Sequence, residues 1–396
     1  MHFWQQRTAV ERSNKDTVQE FWGERVLEAL EADVSKEAPL LFARAIETFF
    51  EGQATACLCR SGREGLRALL AYLRVPNKPV VLLGDFNCPA VADAVQAAGF
   101  QIETFDVADH TGRIDWEMVA NRLGARHAAV LVPHLFGVPS DFTPILAKAS
   151  QCGAYVIEDC AHTLGGRILG RLAGTIGDAA ILSFNYDKPI SLGGGGAVLL
   201  RKGGPLERFR ADRQDIGAVE EMYELRRFQD YLRSRRRQIR TGGQPPLLQR
   251  MVHIWRRVVS NRSSTYIPAT AIGPLRSSLG VWQIERYPEI VRVRNRNTEI
   301  VRNLPGCVDW HVGPGIDAAW LKAKVVPRTP ESANASCLCR RGLRVGGFNW
   351  PDTIEHYLGG ECQGNAGYLS RYALDVPIHQ EMTADELNLI AGMLQR

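Results

Sequence analysis

From residue 55 to about residue 200 the sequence alternates short apolar runs with amphipathic ones, and this alternation limits the fold more than any other feature. "PVVLLGDF", "QIETFDV", "HAAVLVPHLFG", "AYVIEDCAH", "DAAILSFN" and "GGAVLLRK" read as strands. "AVADAVQAAG", "IDWEMVANRLG" and "TPILAKASQCG" read as helices, each with a glycine stop. Most of these strands are apolar at successive positions, so both of their faces are buried. That predicts an α/β fold with a mostly parallel central sheet covered by helices on both sides.

Ligands in such sheets bind beyond the carboxyl ends of the strands. The positions just after each strand are Phe86 to Cys88, His134, Asp159 to His162, and Ser183 to Lys188. Lys188 lies in "SFNYDKPISLGGGG", between a strand end and four glycines. A lysine placed there suits a phosphate loop, a Schiff base or plain loop chemistry. The glycines lack the G-x-x-x-x-G-K-[ST] order of a nucleotide loop, and no G-x-G-x-x-G follows the first strand. A lysine in a partly dry cleft has a lowered amine pKa and attacks carbonyls. Ser61-Gly62-Arg63 opens a helix whose free N–H groups suit a phosphate, and Arg63 adds a forked cationic contact. A lysine, a strand-end carboxylate (Asp159) and a phosphate cradle are the three anchors of pyridoxal 5'-phosphate.

The stretch "VIEDCAHTLGGRILGRLAGTIGDAAILSFNYDKPISLGGGGAVLL" closely resembles the nucleotide-sugar aminotransferases, the DegT/StrS-like family of fold-type-I pyridoxal-phosphate enzymes. Its E-D-x-x-x-x-x-G, G-x-x-G-D and S-F-x-x-x-K segments fit that pattern without a gap. "LGVWQIERYPEIVRVRNRNTEIV" resembles the family's long helix into a smaller C-terminal α/β domain, and "LDVPIHQEMTADELNLIAGML" its last strand and helix. The resemblance implies Lys188 as the Schiff-base lysine, Asp159 as partner of the pyridine nitrogen, and Ser183 with Gly62-Arg63 at the phosphate. It implies His162 beside the ring, and either Cys88 or, with a local shift, Phe86 on the ring face. Asn185, Tyr186, His134 and Arg344 are candidate substrate contacts, although His134 also reads as a satisfied group ending a buried strand, and His379 as structural. A dehydrating branch of the family carries His in place of the lysine, so Lys188 points to transamination. The implied activity is amine transfer from an amino acid, glutamate by resemblance, to the keto group of a sugar, nucleotide sugar or cyclitol, as a homodimer.

Two departures stand out. Where the family has a G-x-N-x-R-like segment whose Asn reaches the partner's phosphate, alignment on Leu279-Gly280 puts Ala269. Arg63, in place of the usual Thr, is positioned to restore that contact from the same chain. Between Arg226 and Arg262 there are eleven arginines against one acid, Asp230. This stretch reads as a solvated helical face, or as a surface for an anionic ligand or membrane; no nucleic-acid-binding motif accompanies it.

At 396 residues the chain suits two domains. We expect a helical segment over 1–50, a cofactor-binding domain over 51–265 and a small domain over 266–396. No run of about 18 apolar residues predicts a membrane span, and the start lacks the order of a signal peptide, which predicts a cytoplasmic protein. The nine cysteines include C-x-C pairs but no C-x-x-C, which favours reduced, buried thiols and no metal. Two other functions fit the same fold: a lyase or other non-transaminating enzyme, and a non-catalytic ligand-sensing or membrane-associated protein.

Overall fold

Seven strands form the central sheet, and the continuous apolar runs supply them. Along the chain come α1 (Ala38–Phe49), β1 (Ala54–Cys59), α2 (Gly62–Leu73), β2 (Val80–Gly84), α3 (Pro89–Ala97), β3 (Gln101–Phe105), α4 (Trp116–Arg122), β4 (His127–Pro133), α5 (Thr143–Cys152) and β5 (Tyr155–Asp159). Two short strands, β6 (Arg167–Ile168) and β7 (Arg171–Leu172), precede β8 (Ala179–Ser183) and β9 (Gly196–Arg201). The sheet order is β1-β9-β8-β5-β4-β2-β3. β3, β2, β4, β5 and β8 run parallel, while β9 is antiparallel to both its neighbours. The expected α/β class with a mostly parallel sheet is the observed one.

The computed structural model describes residues 36–73, 75, 77–186, 188–210, 221, 223, 225, 228, 272–304, 307–328, 337–340, 343–346, 353–378, 380 and 382–394. Residues 1–35 of the expected helical segment, the arginines of 226–262, Ala269 and His379 lie outside the described residues. No helix among those described is long and apolar enough to cross a membrane.

Every residue of β2 and of β4 is buried, as strands covered on both faces require. Fully burying each Val or Leu there contributes about 1.5–3 kcal/mol. Two boundaries differ from the sequence expectation. α4 stops at Leu123 in extended backbone, one residue before the glycine, and Gly124 N donates instead to His127 Nδ1 at 3.0 Å. The β4 run ends at Pro133, and "LFG" turns as a 3-10 helix with Phe136 at φ +59°.

After the sheet comes α6 (Pro274–Val301), then β10 (Cys307–Asp309), β11 (Ile316–Asp317), β12 (Ala323–Pro327), β13 (Cys337–Arg340), β14 (Leu343–Gly346), α7 (Ile354–Tyr357), α8 (Gly364–Tyr372), β15 (Leu374–Val376) and α9 (Ala384–Leu394). A small antiparallel sheet, β10-β12-β15, backs a second core containing Trp310, Trp320 and Leu374. The N-terminal half of α6 packs on the large sheet through Leu279, Ile284 and Tyr287, and its end reaches the second core through Val301. Phe42 of α1 lies against Gly280, where a Cβ would come 2.5 Å from the ring.

The region after β12 is fastened to the strand ends by two carboxylates. Asp85, after β2, accepts from Glu355 N at 2.7 Å, and its carbonyl accepts from Ile354 N at 2.9 Å. Asp106, after β3, accepts from Asn365 N at 2.8 Å and Ala366 N at 2.7 Å. Burial, with the Glu355 and Asp106 charges adding to it, pushes the Asp85 carboxyl up to about 6 against the pull of the Glu355 N–H. A carboxyl raised in the fold contributes stability that is full below its unfolded value of about 4 and lost as pH rises through the folded one. Asp85→Asn keeps an oxygen for Glu355 N and removes the titration. Its Tm advantage over the parent should therefore be larger at about pH 8 than at about pH 5; thermal melts of both proteins across that range check this, and a constant difference would rule the titration out.

Candidate active site

Beyond the carboxyl ends of β2, β4, β5 and β8 lies a cavity of about 640 Å3. Gly62, Arg63, Cys88, His134, Asp159, His162, Ser183, Asn185, Tyr186 and Lys188 all line it. Phe86 does not. It is buried against Phe136 and Trp310, with ring centroids at 6.3 and 5.9 Å, so Cys88 and not Phe86 faces the cavity. The physical reason is the strand-end turn: Asn87 Oδ1 accepts from Cys88 N at 2.7 Å and turns Cys88 to cap α3. Arg344 stands on β14 opposite Cys339, and its side chain lies outside what is described.

One end of the cavity is the start of α2. Ser61 Oγ accepts from Glu64 N at 3.1 Å, a capping arrangement that leaves the first helical N–H groups without partners inside the helix. The glycine run explains how the chain comes so close. Gly193, Gly194 and Gly195 have φ of +71°, +155° and +96°, a region side chains disfavour. At Gly196 a Cβ would lie 2.4 Å from Gly62 N, and at Gly62 one would lie 3.1 Å from Leu182 O. Three glycines are needed for their backbone and the fourth for space, so the run shapes the floor of a cradle at the helix start.

Lys188 and Asp159 line the same cavity. Burial pushes the Asp159 carboxyl up; the Ala161 N–H (3.0 Å to Oδ1) and the Lys188 charge pull it back. Burial likewise raises the Cys88 thiol against the pull of Lys188. The loop bearing Lys188 is held from behind by Gln283 of α6, which accepts from Ser191 N and donates to Ser191 O, each at 2.8 Å.

The residue before Asp159 points to the other side of the strand and is wholly buried. Glu158 accepts from Gly174 N at 2.7 Å, from Ile176 N and Gly177 N at 2.8 Å each, and from His134 Nε2 at 2.9 Å. His134 Nδ1 accepts from Ser140 N at 3.0 Å, which assigns the ring proton to Nε2. Both His134 nitrogens are thus engaged within the protein, as a structural histidine requires. His162 Nδ1 accepts from Phe136 N at 3.4 Å, leaving the ring along the cavity wall.

His134, Glu158 and Cys160 bring ligand-type atoms within 4.8 Å of one another. The histidine is already committed, however, and burial beside two acids pushes the Cys160 thiol well above its ordinary value, away from the thiolate a metal takes.

No sequence pattern marks Gln283 or Glu158 as a site residue, because nothing in a strand pattern separates a structural acid from its functional neighbour. Asn87 also lines the cavity, 1% exposed, and its Nδ2 has no hydrogen-bond partner.

The donor set fits pyridoxal 5'-phosphate: a helix start with room left beside it by Gly62 and Gly196, a buried carboxyl, and a lysine lining the same cavity. The DegT/DnrJ/EryC1/StrS aminotransferase family matches residues 20–221. A UDP-N-acetyl-3-dehydro-alpha-D-glucosamine 3-aminotransferase of Acidithiobacillus ferrooxidans is 31% identical over 157 residues, 40% of this chain and 42% of the relative. A dTDP-3-amino-3,4,6-trideoxy-alpha-D-glucose transaminase of Micromonospora megalomicea subsp. nigra is 30% identical over 182 residues, 44% of this chain and 48% of the relative. The matched stretch thus spans less than half the length of these curated relatives. The solved structure of DesV from S. venezuelae has a TM-score of 0.69 at 18% identity over 96% of this chain and 95% of its own, a likeness of fold.

Glu158→Gln places an amide N–H against donors that need an acceptor. It should destabilise the protein by about 2–4 kcal/mol, seen as a lowered urea midpoint; an unchanged midpoint would mean that the four bonds contribute little net stability.

Proposed function

The chain belongs to the DegT/DnrJ/EryC1/StrS aminotransferase family, and we propose that it is a pyridoxal-phosphate-dependent aminotransferase moving an amino group from an amino acid to the keto group of a sugar, nucleotide sugar or cyclitol. The observation that carries this reading is the placing of Lys188 and Asp159 in one cavity with the start of α2. The sugar acceptor is supported by the relatives, which are named for UDP- and dTDP-linked sugars. Glutamate is the proposed donor.

Bound pyridoxal phosphate supplies an electron sink and a reactive aldehyde carbon. The chain's own residues do the rest. The N–H groups at the start of α2, with Ser183 and Arg63, would hold the phosphate. Asp159, desolvated at the strand end, would face the ring nitrogen and orient the ring. His162 and Cys88 would border the ring, while Ala161 N keeps the Asp159 carboxyl in place at 3.0 Å. Lys188 Nζ would take and return the proton that such a transfer moves. Asn185, exposed, and Tyr186, half-buried, are the proposed contacts for the acceptor, with Arg344 as a candidate for the donor carboxylate. We extend the proposal to a homodimer whose second subunit completes the cleft, which sedimentation velocity tests.

The deciding experiment is the visible absorption of the purified protein before and after glutamate. The expected result is a cofactor band that glutamate bleaches and that Lys188→Ala removes, with transfer slowed by at least about 10²-fold in the variant. A band that glutamate leaves unchanged excludes this donor and favours a lyase. No band with added cofactor overturns the reading.

A further inference from the structure

On the cofactor reading above, we propose that Asp93 is a built-in competitor for the cofactor's phosphate. It holds Arg63 beside the cradle and surrenders it when the phosphate arrives. Arg63 is the second residue of α2 and lines the cavity at the cradle. Its Nη1 stands 3.5 Å from Asp93 Oδ2 of α3, longer than the 2.7–2.9 Å usual for a charge-assisted bond. The two side chains are 52% and 34% exposed, so the pair is screened and loosely held.

Asp93 has a second and tighter partner. Tyr357 Oη donates to Asp93 Oδ1 at 2.6 Å. Tyr357 stands on α7, whose first N–H groups are fixed by Asp85. Asp93 therefore stays anchored when Arg63 leaves. A phosphate at the helix start offers the guanidinium fork more acceptor oxygens and more charge than one carboxylate does. Arg63 then closes on the phosphate from the same chain, and the Tyr357 hydroxyl remains as the donor that satisfies the freed carboxylate.

The test compares affinities for pyridoxal phosphate and for pyridoxal, which lacks the phosphate, by equilibrium dialysis. Arg63→Thr should weaken pyridoxal phosphate by roughly tenfold or more and leave pyridoxal unchanged. Asp93→Asn keeps an oxygen for Tyr357 but loses its hold on Arg63, so it should tighten pyridoxal phosphate a few-fold and again leave pyridoxal unchanged. Because the two variants move in opposite directions, a general loss of structure cannot imitate the result. If both variants keep the parent's ratio of the two affinities, or if Arg63→Thr weakens both ligands equally, the exchange is wrong while the cofactor reading stands. If the parent protein binds neither ligand, the cofactor reading falls and this proposal falls with it.

Discussion

One buried carboxylate holds the site together. Glu158 has no exposed surface and accepts four hydrogen bonds, three from backbone N–H groups in the 174–177 turn and one from the His134 ring. A charge removed from water is tolerated only when it is this fully solvated by the protein. The arrangement ties β5 to the turn that leads into β8 and to the loop after β4. Three segments belonging to β4, β5 and the approach to β8 thereby acquire fixed positions in the middle of the sheet. Asp159, one residue on, points to the opposite face because successive strand side chains alternate. The same dipeptide thus gives one acid to the scaffold and one to the cavity.

The cavity's other wall depends on close approach rather than charge. Gly196 allows β9 to pass within contact distance of the first N–H of α2, and the three preceding glycines turn the chain back through conformations closed to other residues. Gln283 then fixes the loop from outside by pairing with both backbone groups of Ser191. Lys188 is therefore presented from a segment held at both ends, although it lies between elements and not within one.

The strands and their ends were legible because a parallel sheet writes continuous apolar runs, and because ligand-facing residues follow those runs directly. That placed Asp159, His162, Ser183 and Lys188 around one cavity before any geometry was known. Other features left no local mark. Asn87 decides that Cys88 and not Phe86 turns inward, through a side-chain bond to the next N–H that no periodicity reports. Gln283 lies 92 positions from the serine it holds, and Tyr357 264 from Asp93, so their roles exist only once the chain has folded. His134, ending a buried strand, reads more readily as a satisfied structural group than as a substrate contact, and the two partners on its ring are what separate these readings.

The long helix α6 belongs to both hydrophobic cores. Leu279, Ile284 and Tyr287 are buried with the large sheet, and Val301 is buried with the small one. The two cores are therefore joined by one continuous helix rather than by a loop, and the spacing between them along α6 is set by helical rise, about 1.5 Å per residue.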